Sequence, residues 1–160
     1  MLNKIGTTLV VLNLVMAIGS GLFFLFVEGL GPVSWLVVNT CALAVLFFVV
    51  GFYLGRSELL AFALPWLFFY GTGGLFVFEW GMEAEILIPQ VSHLIMTVTV
   101  IYIVVHILLR GSWKWGLAGL IVGIITVSLF FPWQQQYQIE NPEVLERLHF
   151  REGFEPTDNK

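Results

Sequence analysis

Five long runs of this chain carry no charge at all. They cover residues 5–27, 29–55, 59–78, 86–109 and 115–139, each 20 to 27 residues long. A hydrocarbon layer about 30 Å thick takes about 20 helical residues to cross. Barrel strands would alternate apolar and polar over about 10 residues, and stretches such as Leu43 to Val50 do not alternate. The predicted architecture is therefore an all-α integral membrane protein, a five-transmembrane-helix up-down bundle. Its transmembrane domain is residues 1–133, with spans at about 5–27, 32–55, 59–78, 86–109 and 115–133, followed by an acidic tail at 134–160. The links between spans are short, which makes neighbouring helices antiparallel.

Composition agrees. Of the 160 residues 58% are apolar and 11% charged, where soluble domains average about 45–50% and about 25%. Between Gly29 and Ile139 only Arg56, Glu58, Glu79, Glu83, Glu85, Arg110 and Lys114 are charged, too few to clothe a soluble surface. Seven Lys and Arg against eleven Asp and Glu leave no basic face for phosphates, so nucleic acid is not an expected partner. No Gly-Lys phosphate loop is present, which excludes nucleotide-driven chemistry. A single cysteine, Cys41, excludes an internal disulfide framework.

Charge also orients the chain. With the N-terminus cytoplasmic, Lys4, Arg56, Arg110 and Lys114 all fall inside, and Glu28, Glu79, Glu83, Glu85 and the acidic tail fall outside. Trp35, Trp80 and Trp133 mark outer helix ends, Trp113 and Trp115 an inner one; Trp66 lies deeper. The expected location is a cytoplasmic (inner) membrane, multi-pass, with the C-terminus extracytoplasmic. The first span continues through Phe23 to Val27, too long for a secretory signal core, and is read as an uncleaved helix. Pro32, Pro89 and Pro132 are expected near helix ends. In the tail, Asn141-Pro142-Glu143 is a helix-start signature, predicting a short amphipathic helix with Val144, Leu145 and Leu148 on one face.

Four features bear on function. The pairs Gly51/Gly55 and Gly119/Gly123 suit close helix approach, within the bundle or against a second chain; packing within the bundle is the commoner use. Pro65, Tyr70, Thr72 and Gly73 mark an expected break in the third span, the best sequence pointer to a substrate pocket. A kink with close packing is the plainer reading of the same residues. His93 and His106 are the two intramembrane histidines, able to ligate a haem or chlorophyll-type pigment or simply to make polar contacts. Thirteen residues apart, they stand about 20 Å apart on one helix and cannot share an iron. Glu79, Glu83, Glu85 and His93 could bind a divalent metal, or form a solvated acidic loop.

No span carries an Asp, Glu, Lys or Arg for moving charge, and no nucleophile sits beside a base, so catalytic activity is not expected. The reading is a small non-catalytic membrane subunit or scaffold, with lipid, other membrane subunits or a second copy as partners and no cofactor. The alternatives are a haem- or pigment-binding electron-transfer or light-harvesting subunit using His93 or His106, and a small transporter or channel with its site at Pro65–Gly74.

Overall fold

Within hydrocarbon no water satisfies backbone N–H and C=O groups, so apolar runs of this length must pair them internally as helices. The computed structural model describes residues 2–27, 29–77, 80–111, 113–142 and 144, and these are mostly helical with no strand among them. Helix α1 spans Leu2–Leu22 and runs on through a π-helical turn, Phe23–Val27. Two helices follow, α2 at Pro32–Val38 and α3 at Thr40–Leu54. Helix α4, Ser57–Trp66, passes into a π-helical segment, Leu67–Thr72, and the short α5, Gly74–Val77. Helices α6, Ala84–Arg110, and α7, Trp113–Glu140, complete the fold.

Among the described residues four helices are long and apolar enough to cross a membrane, and five if the bent pair α2–α3 counts as one span. The second predicted span differs from expectation: it bends by 73° between α2 and α3. The third is irregular where a break was expected: its α-helix gives way to a π-helical segment at Leu67–Thr72 and a turn at Gly73, while the span as a whole continues to Phe76. Proline placement differs too. Pro89 and Pro132 both sit inside their helices, and α7 runs past the change of character at Gln134. At 28 residues it is about 42 Å long, more than a bilayer core requires. Asn141 Nδ2 donates to the carbonyl of Tyr137 at 2.8 Å, closing its last turn. The amphipathic helix expected in the tail lies outside the described residues beyond Pro142 and Val144.

Packing does not follow chain order. Helix α4 sits centrally, against α3, α6 and most extensively α7, while α7 barely meets α6; α1 packs on α3 and α6. Lipid offers helices no hydrophobic drive to associate, so close contact depends on small residues. A Cβ on Gly123 would stand 2.6 Å from the Phe62 carbonyl oxygen, and one on Gly119 would overlap that of Glu58. Gly116 continues this seam against Ile107 and Ala61. Gly51 does the same for α3, 2.8 Å from the Leu60 nitrogen. Gly55, its sequence partner, faces open space and instead ends α3 at φ 64°, as Gly111 ends α6. Both glycine pairs thus serve the chain's own fold.

Neutral polar pairs bind the helices further. The buried Asn13 donates through Nδ2 to Thr99 Oγ1 and to the Leu9 carbonyl, each at 2.8 Å, tying α1 to α6. Trp66 Nε1 donates to Thr126 Oγ1 at 3.1 Å, tying α4 to α7.

Candidate functional site

The residues expected to form a pocket in the third span lie on different faces. Pro65 turns toward α7, its ring 3.1 Å from where a Cβ on Gly123 would stand. Proline denies Ala61's carbonyl its i+4 donor, and the widened turn just beyond carries the mismatch: Gly73 N–H reaches back five residues to the Phe68 carbonyl at 3.1 Å. Tyr70 also sides with α7, stacked on Trp66 at 5.9 Å and edge-on to Phe130 at 6.4 Å. Thr72 faces α6 instead, 3.1 Å from Thr97 Oγ1. Since the Thr97 hydroxyl donates to the His93 carbonyl, Thr72 is the donor to Thr97. The surroundings are filled: a Cβ on Gly71 would lie 2.6 Å from Met96 Cβ.

His93 and His106 are both buried on the unbroken α6, so the helical separation expected from sequence applies. The His93 ring packs flat against the third span, its Nε2 only 2.6 Å from where a Cβ on Gly74 would stand. His106 Nδ1 is 3.1 Å from the Tyr102 hydroxyl.

The expected carboxylate cluster is not assembled among the described residues, where no group of three His, Cys, Asp or Glu side chains could share a metal. Glu83 is exposed at the N-cap of α6, ten residues and so about 15 Å along the axis from His93. Glu79 and the side chain of Glu85 lie outside what is described.

The polar site that sequence reading passed over is the bend at Asn39. Asn39 adopts φ −107°, ψ 33°, ending one helix and starting the next. A bend this sharp takes the α2 carbonyls from their i+4 donors, and side chains replace them. Thr40 Oγ1 donates to Leu36 and Val37 carbonyls at 2.9 and 3.1 Å, and Gln134 Nε2 from α7 to Val37 at 2.7 Å. Asn39 Oδ1 accepts from Ser20 Oγ at 3.1 Å, and Trp35 Nε1 donates to the Gly21 carbonyl at 3.1 Å. Asn39 Nδ2 and Gln134 Oε1 remain buried without a hydrogen-bond partner among the described residues. The available signal was the Asn39-Thr40 pair in the middle of an apolar run.

The class this fold defines is broad: an all-helical chain whose apolar helices are those of a membrane-embedded protein. No family model, curated protein or solved structure matches it.

Proposed function

We propose that this chain is a small non-catalytic integral membrane subunit or scaffold in the cytoplasmic membrane, N-terminus inside and C-terminus outside. One observation carries the reading: the third span, the place a ligand was most expected, is packed solid by Trp66, Tyr70, Met96, His93 and the α7 glycines. The polar pairs there, Thr72 with Thr97 and Trp66 with Thr126, join helix to helix. Outward, α1 and α7 present rows of exposed apolar side chains, such as Val15, Ile18 and Phe26, and Ile121, Ile125 and Leu129. These suit lipid and the helices of a neighbouring subunit alike. The glycine seams, spent inside the chain, lend this reading no support. A native mass spectrum of the chain extracted gently from its own membrane tests it. Co-extracted polypeptide mass is the expected result; a lone chain or homodimer at multiples of 18.1 kDa would discard it.

A transporter reading, with its site moved from the expected Pro65–Gly74 to the second span, is favoured by one observation, the bend at Asn39. Broken helices within a bilayer are where freed backbone and polar side chains meet small ligands. One donor and one acceptor stand unused there. This reading expects a solute that raises the melting temperature of the isolated chain and fails to do so in Asn39→Ala; a broad solute panel without any shift counts against it.

A further inference from the structure

At the end of the bundle that carries the basic residues, the start of α1 and the ends of α3 and α6 enclose a cleft of about 330 Å³. Its polar wall is Asn3, Thr7, His106 and Arg110, with Tyr53 at its side, and no carboxylate lines it. The carboxylate described at this end, Glu58, is already held by Arg56 at 3.2 Å. Arg110 is exposed and makes no ion pair among the described residues. Beneath it the Tyr102 hydroxyl contacts His106 Nδ1. A neutral ring that accepts there carries its hydrogen on Nε2, which makes His106 a second donor in the wall. The Asn3 amide is a third. Thr7 is not one, because its hydroxyl donates to the Asn3 carbonyl at 2.9 Å.

A second hollow, about 480 Å³, shares Asn3 and Thr7 with the first and continues along α1 past Lys4 and Thr8 to Val11 and Leu12. These six residues are one face of α1, so the hollow is a shallow, open groove walled by that helix alone, running about 13 Å from the end of the bundle toward its apolar middle. It begins polar and cationic and ends apolar.

We infer that this cleft and groove bind an anionic membrane phospholipid, the phosphodiester at Arg110, His106 and Asn3 and an acyl chain along Val11 and Leu12. A guanidinium fork matches phosphate oxygens two at a time. Basic hollows between helices at a membrane surface are general sites for acidic headgroups. Free phosphate has the same head chemistry; the contiguous apolar groove favours the lipid. The inference is independent of whether the chain serves as a subunit.

The test titrates the purified full chain, in neutral detergent, with short-chain phosphatidylglycerol, with phosphatidylcholine of the same chains, and with inorganic phosphate, reading bound lipid by native mass spectrometry and melting temperature. Phosphatidylglycerol should bind with a midpoint at least about fivefold below phosphatidylcholine, and phosphate should produce no shift. Arg110→Gln should raise the phosphatidylglycerol midpoint about five- to tenfold and leave phosphatidylcholine unchanged, as loss of one charge-assisted contact requires. Lys4→Gln, further from the head, should weaken it about twofold and decides the matter if Arg110→Gln does not fold. Arg56→Gln, at the same end but outside the cleft, should change nothing. Equal binding of both lipids, or an unchanged midpoint in the cleft variants, would overturn the site. Equal loss in Arg56→Gln would reduce it to general surface charge. A shift with inorganic phosphate alone would overturn the lipid as ligand.

Discussion

Glycine does two opposite things in this chain, and substitution separates them. Gly119 and Gly123 are where α7 touches the backbone of α4. Gly119→Ala must push a methyl into the Glu58 carbonyl, and a loss of about 1–3 kcal/mol is expected. Gly19, on α1, has nothing within 4 Å of a Cβ. Gly19→Ala should therefore stabilise slightly, by up to about 1 kcal/mol, because alanine loses less backbone freedom in a helix. Reversible unfolding in mixed micelles reads both; equal effects would mean the seam is not a contact. Asn13→Leu removes the bond to Thr99, and about 0.5–2 kcal/mol is the expected loss. A double-mutant cycle with Thr99→Val should recover that energy as coupling; simple additivity would deny the bond. The glycine spacing was visible in the sequence, but its use was not. Gly51/Gly55 and Gly119/Gly123 have the same pattern, and only neighbours from α4 distinguish a seam from a cap.

At the scale of elements, the apolar runs were legible in the sequence, and of the two irregularities only the one in the third span was. Span ends were legible because charges bound every run: α6 stops at Arg110 and α4 begins between Arg56 and Glu58. Pro65 and the glycines after it marked the third span, where the α-helix gives way to a π-helical segment and a turn at Gly73. Asn39 was passed over, and the chain bends there. The reason is distance in sequence: the freed Val37 carbonyl is met by Gln134, 97 residues away, and no local pattern announces such a partner. The same distance hides Pro132, which α7 tolerates while Gln134 and Tyr137 beyond it reach Val37 and Ser34 on α2. Gln134→Leu should therefore loosen α2 rather than α7. Hydrogen exchange of amides in residues 34–38 is expected to quicken about five- to tenfold, the worth of one buried hydrogen bond. Unchanged exchange there would show that the bend holds without α7.

For the whole molecule, orientation and partners are open to direct measurement. With Cys41 replaced by serine, a cysteine at Arg56 should resist a membrane-impermeant maleimide in intact cells, and one at Glu140 should react. The reverse pattern would invert the proposed topology. Removing residues 141–160 should release the chain from co-extracted partners while leaving its unfolding transition in place. Unchanged co-extraction would move the dock to the helices. Composition and charge made the membrane setting legible at once, since they describe the surroundings rather than the contacts. The helix order around α4 was hidden, because lipid-facing and helix-facing sides of these spans are equally apolar, as Ile125 and Val127 illustrate on α7. That order has a consequence for biogenesis. Helix α7 leaves the ribosome after α5 and α6 yet fills the most extensive contact of α4, so α4 must wait in the bilayer with its Glu58–Phe62–Pro65 face uncovered until α7 follows. A nascent chain arrested before Trp113 should therefore be a client for insertase or quality-control factors. Supplying residues 113–140 as a separate peptide should relieve that dependence.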